Sequence, residues 1–96
     1  MVIYKYPLEI TDSQVIQIPD GGVILSVADQ DGALCLWAAV NPERPVVNRM
    51  IEVIGTGNPI TSGRKRYIGT VVMTPFVWHV LESCSPENMT WEFYSE

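Results

Sequence analysis

Apolar and polar positions alternate along most of this chain with a period of two, the spacing of side chains on a half-buried β-strand. Residues 2–6 alternate and stop at Pro7, and residues 14–18 alternate and stop at Pro19, with Val15 on the face opposite Ile16 and Ile18. Turn signals punctuate the pattern at Thr11-Asp12-Ser13, Asp20-Gly21-Gly22 and Asp29-Gln30-Asp31-Gly32, where short polar side chains bond the local backbone and glycine takes left-handed conformations. Between the turns run a β-branched stretch, 23–28, and a stretch apolar throughout, 33–40. A strand with no polar face is buried on both sides, centrally in the fold or at a subunit contact. After a loop kept from helix by Pro42 and Pro45, residues 46–54 place Val47, Arg49, Ile51 and Val53 on one face and Met50, Glu52 and Ile54 on the other. Residues 67–73 and 77–82 complete the series, and the Val-Trp-His-Val run of the latter suits a strand better than a helix.

About seven short strands with turns every 8–12 residues predict an all-β domain, mostly antiparallel, folded as a small sandwich or partly open barrel. The predicted domain spans 1–82. The extension 83–96 opens polar and ends with Trp91, Phe93 and Tyr94. Alternation sets Trp91 and Phe93 on one face, so the extension reads as one more strand, docking on its own sheet or a neighbour's.

Ninety-six residues make a single domain, too short for a second core. Such a chain buries a smaller fraction of its surface than a larger one does, and 47% apolar content leaves a surplus that points to a homo-oligomer. The net charge of −5 argues against long nucleic acid, which is held through several basic contacts. No basic start leads into a long apolar stretch and no apolar run approaches membrane-spanning length, so neither secretion nor a membrane is expected. Cys35 sits in an apolar segment and Cys84 in a polar one, which fits reduced thiols and a cytoplasmic protein.

Charge changes the picture at one place. Arg64, Lys65 and Arg66 are three of only six Lys/Arg residues, and they follow the flexible run Gly55-Thr56-Gly57-Asn58-Pro59. Read as a cationic loop, this segment has the parts of an anion site: backbone N–H groups of a glycine turn and guanidinium forks for phosphate oxygens. No Gly-Lys-Ser/Thr and no helix follow, which excludes a nucleotide-hydrolysing P-loop. The plainer reading is a solvated loop whose charges aid solubility.

His79, the sole histidine, can titrate near neutrality and meet a phosphate, or serve as a hydrogen-bonded structural group. It lacks a sequence partner for nucleophilic or metal chemistry. Of the tryptophans, Trp37 lies in the apolar strand and is assigned to the core, while Trp78 and Trp91 are candidates to stack a base. Asp29-x-Asp31-Gly32 starts like a calcium loop, but Ala33-Leu34-Cys35-Leu36 cannot supply the remaining oxygens. No catalytic set, metal site or cofactor is expected.

Ile18-Pro19-Asp20-Gly21-Gly22-Val23-Ile24-Leu25-Ser26-Val27, Leu36-Trp37-Ala38, Gly55-Thr56-Gly57, Tyr67-Ile68-Gly69-Thr70 and Trp78-His79-Val80 together form a pattern. It resembles a family of short proteins encoded in bacteriophage and prophage genomes, over residues 4–82. Asn58 stands where a histidine is common in that family, and the segment beyond residue 82 is additional. The resemblance implies a phage origin and action in the cytoplasm of an infected bacterium, in host takeover or evasion of defence; it carries no catalytic residues across.

The expected function is therefore a non-enzymatic binding protein that sequesters a small phosphorylated, nucleotide-type signalling ligand. Arg64, Lys65 and Arg66 would neutralise phosphate, Gly55, Thr56, Gly57 and Asn58 would offer donors, His79 would assist, and Trp78 or Trp91 would stack the base. Alternatives are a protein–protein inhibitor of a host defence complex or enzyme, using the acidic surface and aromatic tail, and a minor structural phage protein.

Overall fold

The computed structural model describes residues 1–84 and 90–96. Among the described residues there are eight strands: β1 (Val2–Pro7), β2 (Ser13–Pro19), β3 (Val23–Gln30), β4 (Ala33–Val40), β5 (Val46–Gly55), β6 (Gly63–Met73), β7 (Phe76–Ser83) and β8 (Phe93–Ser95). They form two antiparallel sheets, β1-β4-β3 and β2-β5-β7-β6-β8. The sheets face each other as an open sandwich and do not close into a barrel. No described helix is long and apolar enough to cross a membrane.

Alternation decides which side chains meet between the sheets. Leu34, Leu36, Ala38 and Val40 of β4 face Ile51 and Val53 of β5, Val80 of β7 and Val71 of β6, with Ile18 and Leu8 closing the cluster. Where β6 crosses β3 the approach is close. A Cβ on Gly69 would come within 2.9 Å of Val27 Cγ2, and the register of β6 against β7 shifts between Tyr67 and Gly69. A bulge placed beside a glycine lets the strand bend over its neighbour without a side chain in the gap.

Two expectations change and a third holds. The segment 33–40 is central in its own sheet, but Trp37 is not in the core. Leu36 and Ala38 point inward, so Trp37 lies on the outer face beside Lys5 and Ser26 and is only partly buried. The basic triplet is not a loop; it lies near the start of β6. The aromatic extension does add a strand, to its own sheet, where Lys65 pairs with Phe93 and Arg64 with Tyr94. Residues 85–89 of that extension lie outside the described residues.

Candidate functional site

Strand alternation sends Lys65 and Arg66 through opposite faces of the five-stranded sheet, and both meet carboxylates. On the outer face Lys65, 1% exposed, donates from Nζ to Glu52 Oε1 (2.5 Å), Thr61 Oγ1 (2.6 Å) and Ser83 Oγ (2.8 Å). The two hydroxyls in turn donate to Glu52, Thr61 to Oε2 and Ser83 to Oε1. All three ammonium protons and both carboxylate oxygens are thus satisfied, the condition under which a buried pair is tolerated. Burial pushes the Glu52 carboxyl up, but the hydrogen bonds from Lys65, Thr61 and Ser83 and the charge of Lys65 outweigh it, and its pKa lies below the ordinary value.

On the inner face Glu82, fully buried, accepts Arg49 Nε at Oε2 and Arg49 Nη2 at Oε1, while Arg49 Nη1 donates to the Gly22 carbonyl. Arg66 adds a second cation, with Nη1 3.7 Å from Glu82 Oε1, and its Nη2 donates to Thr90 O and Oγ1. Arg64 stands over the Trp91 ring, its guanidinium carbon 5.6 Å from the centroid. The three charges expected to meet an external anion are occupied inside the molecule.

The Gly55–Asn58 turn sits at the end of β5. Asn58 N–H donates to Gly55 O, and Gly57 takes φ = 91°, a conformation that favours glycine at the third position of a tight turn. Thr56 N–H donates to Val77 O. The array of free main-chain donors expected here is therefore reduced, because the Thr56 and Asn58 amides already have partners.

Two hollows flank this turn. One, of about 530 Å³, lies where β5 runs on past the start of β2; Ile10, Thr11, Asp12, Thr61, Pro59 and Trp78 line it. The other, of about 360 Å³, opens on the outer face of the five-stranded sheet. Ile54 and Leu81 form its floor, Ile60, Phe93 and Tyr67 its walls, and Gly55, Thr56, Gly57, Asn58 and His79 its rim. A mainly apolar hollow with a few polar groups is the usual form of a small-molecule site.

His79 is bonded at both nitrogens. Thr56 Oγ1 lies 2.6 Å from Nε2 and Thr70 Oγ1 lies 3.0 Å from Nδ1, with Tyr67 Oη 2.5 Å beyond, on the Thr70 hydroxyl. This chain, Thr56–His79–Thr70–Tyr67, ties the turn to β7 and β6. A hydroxyl beside a histidine is the first half of a nucleophile–base pair. Here the third member is another hydroxyl, which orients the ring but provides no negative charge to hold an imidazolium.

Of the sequence-derived candidates, Gly55, Thr56, Gly57, Asn58, Trp78 and His79 therefore line the two hollows, and Arg64, Lys65, Arg66 and Trp91 line neither. Trp78 is held by stacking on Phe76, ring centroids 5.5 Å apart, and packs against the core. Trp91 is 45% exposed. The sequence reading missed Tyr67, Thr70, Ile60 and Phe93: Tyr67 and Thr70 of β6 come beside His79 only once β6 pairs with β7, and Ile60 and Phe93 join them from separate segments. Among the described residues no group of three or more His, Cys, Asp or Glu is placed to hold a metal.

The chain belongs to a family described as a domain of unknown function, DUF7352, whose model matches residues 1–90. No curated protein and no solved structure matches it.

Proposed function

We propose that this protein is a non-enzymatic binding module that takes a small nucleotide-type ligand, base end inward, into the hollow between the 55–58 turn and the outer face of the five-stranded sheet. The observation that supports this reading is the convergence of His79, Tyr67 and Thr56 on a hollow floored by Ile54 and Leu81. Apolar walls suit the faces of a flat heterocycle, and the Tyr67 and Thr56 hydroxyls, positioned through the Thr56–His79–Thr70–Tyr67 chain, suit its hydrogen-bonding edge. Its phosphorylated end stays at the solvent-facing rim, because Lys65 and Arg66 are committed to Glu52 and Glu82. Specificity then comes from the base more than from charge.

The resemblance to phage-encoded proteins supplies the setting, sequestration of a signalling ligand in the host cytoplasm during takeover or evasion of defence. Binding without turnover agrees with a histidine oriented only by hydroxyls. The hollow is built within one chain, so the reading does not depend on an oligomer.

Calorimetry against nucleosides and their linear and cyclic phosphates tests it. At least one base binds as nucleoside and as nucleotide with affinities within about tenfold of each other, and His79→Ala weakens both by about tenfold or more. Arg64→Ala leaves them unchanged. If no member of the panel binds, the reading fails and a host protein becomes the partner to seek. If Arg64→Ala abolishes binding and His79→Ala does not, the cationic residues carry recognition instead.

A further inference from the structure

Among the described residues the edge of the three-stranded sheet is open at β1 and carries uncovered apolar side chains on both faces. Tyr6 packs against the core and Leu8 is buried in it, so the even-numbered residues of β1 face the interior. Val2 and Tyr4 share that face and yet are 45% and 43% exposed; Ile3, on the outer face, is 63% exposed. Interior-facing apolar groups left half uncovered at a sheet edge lack a cover.

The direction of the main-chain bonds follows from one contact. Leu8 N–H donates to Leu34 O (2.8 Å), and Leu8 opposite Leu34 continues the β1–β4 register, in which Tyr6 faces Leu36 and Tyr4 faces Ala38. Bonded residues recur every second position in an antiparallel pair. The even residues therefore bond β4, and the N–H and C=O groups of Ile3 and Lys5 point out of the sheet.

The other edges are better protected. β3 is bulged between Ile24 and Ser26 and packs on β6. β2 alternates polar and apolar residues and ends in Pro19, and β8 is only three residues long. β1 has a regular register and one charge, Lys5, whose Nζ is drawn aside to Gln30 Oε1 (2.8 Å). A long, regular, apolar edge is a template for strand addition.

We infer that β1 pairs antiparallel with β1 of a second copy about a two-fold axis, joining the two three-stranded sheets into one of six. Facing residues must point to the same side, which allows Ile3 opposite Ile3, Tyr4 opposite Tyr4, or Lys5 opposite Lys5 as the central pair. The third sets like charges opposite each other, and the first gives a shorter ladder. Centring on Tyr4 pairs Ile3 with Lys5 of the second copy and Lys5 with its Ile3, satisfying all four outward-pointing polar groups of those residues on each chain. The ladder ends at Pro7, which has no N–H to offer. The two Tyr4 rings then cover each other and Val2 lies beside Tyr6 of the second copy, covering the interior-facing side chains. A single strand pair is smaller than a standard stable interface, so the dimer is expected to dissociate at micromolar concentrations.

Sedimentation equilibrium across a concentration series tests the dimer, and cross-linking tests the register. The wild type rises from 10.7 kDa toward twice that mass. Lys5→Pro, which puts a ring where an outward N–H pointed, and Tyr4→Lys, which sets like charges on the axis, both stay monomeric with an unchanged circular dichroism spectrum. In a Cys84→Ser background Tyr4→Cys forms an intermolecular disulfide on mild oxidation, because directly opposed non-bonded residues approach to about 4.5 Å between Cα atoms; Ile3→Cys, facing Lys5, forms none. A wild type that stays monomeric at high concentration overturns the inference. So does a dimer that survives both Lys5→Pro and Tyr4→Lys, or one that Val15→Lys on the β2 edge disrupts instead. Equal cross-linking by Tyr4→Cys and Ile3→Cys overturns the register.

Discussion

Lys65 looks in the sequence like the centre of an anion site and is in the structure one of the least exposed side chains in the protein. The cause is the neighbour it serves. Glu52 sits in an apolar strand, and a carboxylate buried without partners costs far more than strand pairing returns. Removing one partner should therefore be severe: Lys65→Met leaves Glu52 buried and uncompensated, with an expected loss of about 3–5 kcal/mol in urea unfolding. Replacing both, as Glu52→Leu with Lys65→Met, should recover most of that loss, since Thr61 and Ser83 retain access to water. The pH dependence has a definite sign. The Glu52 pKa is depressed in the folded protein, so its contribution is fully present above the unfolded carboxylate value of about 4.3 and is lost as pH falls through the folded value. Urea midpoints measured from pH 7 to 3 should fall for the wild type, and the gap to Glu52→Gln should narrow with acidity. A gap that widens would refute the assignment.

At the scale of the strand, β6 explains what the triplet is for and how much of the architecture was legible beforehand. Most of the seven strands and the added terminal strand follow from alternation, and 23–28 and 33–40 from β-branched or apolar runs between turns, because side-chain pattern and turn chemistry are local. The start of β6 was lost because Arg64-Lys65-Arg66 has weak strand propensity and follows a glycine turn. Yet Glu52 and Glu82 stand in apolar strands and call for cations, and the triplet's alternation delivers one to each face. That signal was readable. Which strands pair was not: β1 and β2 are consecutive but lie in different sheets, a choice made by packing across the core. Of the site, the turn, Trp78 and His79 were legible by residue type, whereas Ile60, Tyr67 and Phe93 come from three separate segments joined only by folding. Adjacent positions in β6 should accordingly respond unequally to alanine. Lys65→Ala costs most. Arg66→Ala, which loses a hydrogen-bonded, partly buried guanidinium, costs about 1–3 kcal/mol. Arg64→Ala loses an exposed stacking contact and costs under about 1 kcal/mol. Thermal unfolding of the three variants checks the order, and equal costs would mean that burial does not govern this strand.

For the molecule as a whole, the charge count takes on a different meaning once each partner is known. The chain has six Lys/Arg residues, and every one is engaged: Lys5 with Gln30, Arg44 with Asp20, Arg49 and Arg66 with Glu82, Lys65 with Glu52, and Arg64 over Trp91. Two of the six, Arg49 and Lys65, are buried, so their positive charge cancels inside while exposed carboxylates such as Glu9, Asp12, Asp31 and Glu43 face solvent. The outside is therefore more uniformly acidic than the sequence suggests. Polyanion binding works by releasing counterions through several free basic side chains aligned on one face, and the pairings leave no such row. The protein should consequently pass through a heparin column at low salt and be held by an anion exchanger until moderate salt. Fluorescence anisotropy with labelled single- or double-stranded oligonucleotides should stay flat up to protein concentrations at which non-specific binders saturate. Salt-sensitive binding in that assay, weakened by Arg64→Ala, would mean that the contact with Trp91 gives way to phosphate and that at least one of these cations is available after all.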